Sequence, residues 1–235
     1  MPDHADYDLY YWSMPFRGQF IRALLAFAGK RWHEYDDAAV GKAMSAEPDQ
    51  QAIPFMGPPM LIDRRTQAAI AEMPAIAMYL GETLRLLPAS ALARALTLKV
   101  VADSNDVIDE LTRDGGRDLW TPARWHEFRP RLGRWMRIFE ETGRRHGLAA
   151  DKGFLLGGRR AGVADIVAAT LWHTMADHLP VVGEMLQEHA PACAGLARRL
   201  YAQPSLANLA AVSRERFGDA YCGGEIEKSM RRVIK

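Results

Sequence analysis

The 235-residue chain is expected to be an α+β protein, with a βαβ–ββα unit at its N-terminus and helices alone thereafter. Three observations carry this reading. The β-prone runs, Tyr7 to Trp12, Trp32 to Ala38 and Met60 to Asp63, all precede Glu72. Ile21, Leu24, Leu25 and Ala28 recur at helical spacing between the first two runs and stop at Gly29. Beyond Pro88 every apolar stripe has the helical period.

Taken in order, the chain reads as strand, helix, strand, a long loop, two short strands and a helix. The prolines of Pro58-Pro59-Met60-Leu61-Ile62-Asp63 directly precede a strand, a place to expect a cis peptide. Glu72, at the mouth of the helix that follows, puts a polar side chain beside unpaired backbone N–H groups, and together these features outline a small-ligand site. Pro88 cannot continue that helix and Ser90 can cap the next, which divides the chain into domains 1–86 and 90–235. Leu96, Val100, Val107, Ile108 and Leu111 form one helical stripe, and Leu132, Trp135, Met136 and Phe139 a second, with Gly115-Gly116 and Thr121-Pro122 as the turn between. Val163, Ile166, Val167, Thr170 and Leu171 mark a buried helix. With Gly162 as its N-cap, Asp165 falls at the third position, where its carboxylate can reach back to the Gly162 N–H as a cap and not as a catalyst. Shorter helices are expected from Val181 to Ala190, Cys193 to Tyr201 and Leu206 to Phe217, broken by Pro191 and Pro204. The last dozen residues, with Gly223-Gly224 and Arg231-Arg232, read as a mobile tail.

With 49% hydrophobic residues the chain can bury a full core. Its 30 basic and 29 acidic side chains leave a formal charge of +1, which calls for neither a nucleic-acid nor a membrane partner. No secretory apolar segment follows Met1 and no apolar run approaches membrane-spanning length, so a cytoplasmic protein is expected, with Cys193 and Cys222 as free thiols. His173 and His178 lack the spacing and companions of a metal site, and no nucleotide-binding glycine motif occurs, so no metal or nucleotide is expected.

The order and spacing of Tyr11-Trp12, Ile21-Arg22, Pro59-Met60-Leu61 with Asp63, Glu72-Met73 with Ala75-Ile76, and Gly162 with Ala164-Asp165-Ile166 resemble the cytosolic glutathione transferases. The resemblance covers nearly the whole chain. It implies a thioredoxin-like first domain, an all-helical second one, glutathione as co-substrate and a two-fold homodimer.

If glutathione is the ligand, its thiol, with a pKa of about 8.5, is only a few per cent thiolate at neutral pH. Lowering that value by about two units takes roughly 2.7 kcal/mol of preferential interaction, within reach of a charge-assisted hydrogen bond in a dry pocket. Two hydroxyls compete for the role. The spacing from Tyr11 to Ile21-Arg22 resembles the tyrosine-type enzymes, whereas Ser13, Pro15 and Arg17 follow the order of the serine-type ones. The resemblance further implies that Glu72 and the Met73 N–H meet the γ-glutamyl group, that Pro58 and Pro59 border the cysteinyl part, that Arg17 faces a ligand carboxylate, and that Asp106, beside Asn105, reaches a partner chain's site. Trp12, Phe16, Trp120, Phe217 and Tyr221 are candidate walls for an apolar electrophile. Two departures stand out: the family has Ser or Thr where Met73 stands, and Pro58 has no N–H to offer. Two lost hydrogen bonds correspond to about one to two orders of magnitude in affinity, so a non-catalytic binding or assembly module remains the alternative.

Overall fold

The computed structural model describes residues 4–234; residues 1–3, and residue 235 at the end of the expected tail, lie outside it. The elements are β1 (Tyr7–Tyr10), α1 (Phe16–Phe27), β2 (Trp32–Glu34), α2 (Asp37–Ser45), β3 (Met60–Asp63), β4 (Ala68–Ala71), α3 (Met73–Thr83), α4 (Ala91–Leu111), the one-turn α5 (Arg113–Gly116), α6 (Pro122–Arg145), α7 (Val163–His178), α8 (Pro180–His189), α9 (Pro191–Tyr201), α10 (Pro204–Phe217) and α11 (Gly224–Val233).

The sheet has the order β2-β1-β3-β4. β1 and β2 are parallel, as the intervening α1 crossover requires, while β3 is antiparallel to both β1 and β4. Its register decides where a site can form. Tyr10 lies opposite Met60, and Met60 opposite Ala71. The next residues outward, Tyr11, Pro59 and Glu72, therefore emerge together at one end of the sheet. Beneath them Leu9 and Leu61 face each other across the ladder, both fully buried with Ile21, Leu24, Ile76 and Leu80 of α1 and α3. Each such side chain contributes about 1.5–3 kcal/mol by leaving water.

α7 ties the two halves together, packing against α1 of the first and against α4, α8 and α9 of the second. All five residues of its expected stripe are buried. Asp165 makes the expected cap, its Oδ2 accepting the Gly162 N–H at 2.9 Å, and its Oδ1 also takes the Leu155 N–H at 2.6 Å. Ser90 caps α4 by accepting the Ala93 N–H at 3.2 Å. Gly162, the N-cap of α7, is closely packed: a Cβ there would meet the Leu86 carbonyl oxygen at 2.7 Å. No helix among the described residues is long and apolar enough to cross a membrane.

The chain departs from the sequence reading in three places. β2 ends at Glu34 and not near Ala38, because the Asp36 carboxylate accepts the Ala39 N–H at 2.8 Å and starts α2 within the expected loop. β1 ends at Tyr10, leaving Tyr11 and Trp12 free of the ladder. The third departure is the tail, which is not free: residues 224–233 form α11, with Ile226 and Met230 buried. Gly223 and Gly224, at φ 73° and 64°, bend the chain into this helix. Glu227 Oε2 then accepts the backbone N–H groups of Tyr221, Cys222 and Gly223 at 2.9, 2.9 and 2.6 Å, while its Oε1 accepts from Arg231 Nε at 2.8 Å. The apolar spacing of Ile226, Met230 and Val233 was the available signal, outweighed by the surrounding charges.

Burial pushes the Glu227 carboxyl up, but the Tyr221 and Gly223 N–H donors and Arg231 together hold it below the usual carboxylate range. A carboxyl depressed by folding stabilises above its unfolded pKa of about 4.3 and ceases to do so as pH falls through the lower folded value. Glu227→Ala is therefore expected to cost about 2–4 kcal/mol of local stability at pH 7. Hydrogen exchange of residues 221–233 should quicken in that variant at pH 7, and in the parent protein only under strong acid.

Candidate functional site

Tyr11 leaves the sheet edge with its ring buried, only 5% exposed, and its hydroxyl oxygen accepts the Arg17 backbone N–H at 3.0 Å, in the first turn of α1. Gly18 makes room for it. A Cβ on that residue would lie 2.3 Å from Tyr11 Cδ1, so this glycine, which the sequence reading passed over, is required by close packing. Burial pushes the phenol up to about 12, against the opposing pull of the Arg17 charge, the Arg17 N–H and Arg22. The phenol consequently keeps its proton at neutral pH. With one lone pair engaged by Arg17, its O–H remains a donor, suited to an anion rather than to proton abstraction.

A groove of about 430 Å³ opens beside this tyrosine, within the size range of small-molecule sites. One side is the β1–α1 segment, with Tyr11, Trp12, Met14, Phe16 and Arg17; Pro58 forms a second; Thr112 at the end of α4 and Gly115 and Gly116 of α5, with Cys222 to Ile226 of the C-terminal segment, complete it. The Pro58–Pro59 peptide is cis. The Pro59 carbonyl accepts the Glu72 N–H at 3.2 Å, so the two sequence motifs are in direct contact. Glu72 itself has φ 73° and ψ 126°, a region costly for a residue with a side chain, and its carboxylate is exposed at the start of α3. Met73 is fully buried, and its N–H belongs to the first helical turn, where no intrahelical acceptor exists.

The other candidates fall into distinct places. Ser13 is exposed and outside the groove lining, its backbone N–H held by Asp37 Oδ1 at 2.8 Å. Arg17 lines the groove, yet its guanidinium meets Asp109 at 2.7 Å and Asn105 at 3.4 Å, bracing α1 against α4. Asp106 lies in a different groove, between α4 and α6 with Lys99, Asp103, Trp135 and Ile138.

Of the five aromatic wall candidates, Trp12 and Phe16 line the groove and Trp120, Phe217 and Tyr221 do not. Trp120 is buried in a cluster with Trp125 and Phe128, its Nε1–H given to the Leu111 carbonyl at 3.0 Å. Phe217 lies under the guanidinium groups of Arg22 and Arg216, at 4.9 and 5.2 Å. Tyr221 is wedged edge-on against Phe16 and stacked on His178. Aromatic identity in the sequence does not distinguish a wall from a core residue, since both positions reward large apolar rings.

Sequence reading also missed Cys222, which lines the groove. Burial and the neighbouring Glu227 push its thiol up to about 12, so it stays protonated and does not serve as a nucleophile at neutral pH.

A family model described as the C-terminal domain of glutathione S-transferase matches residues 96–233. Among solved structures, the chain is similar to NaGST-2, with a TM-score of 0.69 and 21% identity, and to an orthorhombic form of NaGST1, with a TM-score of 0.70 and 18% identity. Each likeness covers 87% of this chain and 95% of the other. A comparison with curated proteins gives no match. At these identities the structural likeness speaks for the fold, a thioredoxin-like domain followed by an all-helical one.

Proposed function

Because the chain belongs to the glutathione S-transferase family, we propose that it is a transferase in which the Tyr11 hydroxyl stabilises the thiolate of bound glutathione for attack on a small apolar electrophile. The observation that carries this reading is the Tyr11 hydroxyl, fixed at the N-terminus of α1 beside an open groove, with an O–H left to donate. The sulfur forms a bond to the electrophilic carbon; a leaving group departs with its electron pair, or the electrons pass into an activated double bond that later takes up a proton. The thiol proton goes to solvent, and Tyr11 keeps its own. The dipole of α1 favours the same anion. Ser13 is the weaker choice, since its side chain stands exposed off the groove lining.

On this reading the γ-glutamyl group lies along the sheet end toward Glu72, whose carboxylate pairs with the ammonium while the Met73 N–H meets the carboxylate. Pro58 contributes a carbonyl only. Trp12 and Phe16 flank the electrophile. Asp106, on the α4–α6 face with exposed Ile138, would reach a partner's site in a homodimer, so light scattering should give twice the chain mass.

The fully buried Met73 and the missing N–H at Pro58 favour the second reading, a binding module without turnover. Calorimetry separates the two: millimolar or tighter glutathione binding accompanied by turnover of an aryl halide supports the transferase, and no detectable heat at 10-millimolar ligand, on the order of the weakest useful affinity, supports the module. Glu72→Gln should weaken glutathione binding about 10-fold by removing the partner of its ammonium.

A further inference from the structure

A buried, multiply bonded charge stands beside the groove without forming part of its lining. Arg22, on α1, is 2% exposed. Its Nη1 donates to the carbonyls of Met14 at 2.9 Å and Pro15 at 3.3 Å, the segment that carries the groove wall into α1. Its Nε donates to Glu34 Oε1 at 2.5 Å, and Glu34 also accepts from Trp32 Nε1 at 2.9 Å and pairs with Arg216 at 2.8 Å. The same guanidinium stands 5.7 Å from the Tyr11 ring centroid, within cation–π range, and 4.9 Å from that of Phe217.

This arrangement exceeds what a structural ion pair needs. A pair joining α1 to β2 requires only the Arg22–Glu34 contact. Here the arginine also fixes two consecutive loop carbonyls and sets its charge against the ring of the one tyrosine on the groove. A cation near the ring draws electron density from it, making the phenolic O–H a better donor.

We propose that Arg22 is a positioning residue for the transferase reaction, holding the 12–15 segment in place and strengthening Tyr11 as a hydrogen-bond donor to the thiolate, with Glu34 moderating its charge. The inference rests on the Tyr11 reading given above. Burial raises the Tyr11 hydroxyl and the Arg22 charge is among the influences that pull it back, consistent with the geometry. The other charged or titratable groups around Tyr11 are Arg17 with Asp109 on α4, Arg216 on α10 acting through Glu34, and Tyr221, Cys222 and Glu227 of the C-terminal segment. Among the described residues, Arg22 is the cation recorded within cation–π range of the Tyr11 ring.

The two partners should act in opposite directions, which separates tuning from mere support of the fold. Arg22→Met should raise the pKa of the bound glutathione thiol by about half a unit to one unit, by loss of a nearby cation. Glu34→Gln unmasks that cation and should lower it by a few tenths, on the order expected for a partly screened charge. Arg22→Lys keeps the charge but cannot span both carbonyls and Glu34; it should restore most of the thiol pKa while leaving kcat reduced. The measurement is the ultraviolet absorbance of thiolate in the glutathione complex against pH, with kcat and KM for an aryl halide. Should Arg22→Met unfold the protein, Glu34→Gln and Arg22→Lys still decide the matter. A rise in thiol pKa in both Arg22→Met and Glu34→Gln, or no change in either, overturns the proposal. Tyr11→Phe is run alongside: if it leaves the thiol pKa unchanged, the Tyr11 reading itself fails, whereas a shift there with none in the Arg22 and Glu34 variants removes only the present inference.

Discussion

Replacing Tyr11 by Phe is expected to lower kcat/KM for conjugation about 10- to 100-fold and to raise the bound thiol's pKa by about one to two units, the value of one charge-assisted hydrogen bond in a partly dry site. The ring remains in the same place, packed over Gly18, so the change removes the hydroxyl without opening a cavity. The Arg17 N–H loses its acceptor, but lying in the first turn of α1 beside an open groove it can take a water instead. Stability should therefore fall by no more than about 1 kcal/mol, and the loss should appear in kcat rather than in glutathione KM. Ser13→Ala is the companion measurement. With its side chain exposed off the groove lining, it should leave both quantities within twofold, on the order of a neutral surface change. A thiol pKa that rises in Ser13→Ala and not in Tyr11→Phe would transfer the role to the serine.

Asp165→Ala should be the most destabilising single truncation considered, by about 3–5 kcal/mol, a large share of the roughly 5–15 kcal/mol that holds a typical protein folded. Both carboxylate oxygens are engaged, Oδ2 by the Gly162 N–H at 2.9 Å and Oδ1 by the Leu155 N–H at 2.6 Å, and the residue is 5% exposed. Alanine leaves a buried N–H without an acceptor at Leu155 and removes the cap from α7. Because α7 packs on α1, α4, α8 and α9, its first turn supports both halves of the molecule. Gly162 offers no side chain to substitute, and a Cβ there would meet the Leu86 carbonyl, so no neighbouring hydroxyl can be installed to compensate. Asp165→Asn keeps one acceptor oxygen and should lose about half as much. Urea unfolding followed by far-ultraviolet circular dichroism measures both; a midpoint for Asp165→Ala equal to that of the parent would show that the cap is not what holds α7.

Much of the fold was legible because its signals are local. Ser90 and Asp165 cap helices by reaching N–H groups three residues away or nearer, and the stripe from Val163 to Leu171 records a helix that meets neighbours on nearly every side. Pro58-Pro59 and Glu72 could be paired in advance because they flank the same short strands. The missed α2 was local too, signalled by Asp36, but the β-prone run before it extended the expected strand over its start.

The site was less legible because its walls come from distant parts of the chain. Tyr11 and Pro58 meet Gly116 and Ile226 across separations for which no sequence period exists. Trp120 and Trp12 are both half-apolar aromatics near turns, and only packing sends one into a cluster with Trp125 and the other to the groove. Arg22 enters the sequence reading only through the spacing of Ile21-Arg22 from Tyr11, and its surroundings show only once Met14, Pro15, Glu34 and the Tyr11 ring are seen around it. What the amino-acid order determined alone was the list of helices and strands, their caps, and the residue types able to handle a thiol, since these depend on neighbours a few positions apart. Tertiary structure decided that Tyr11 and not Ser13 lines the groove, that the segment from Cys222 to Ile226 folds back to line it, and which charges stand near the tyrosine, because burial and orientation arise only when remote segments compete for the same space.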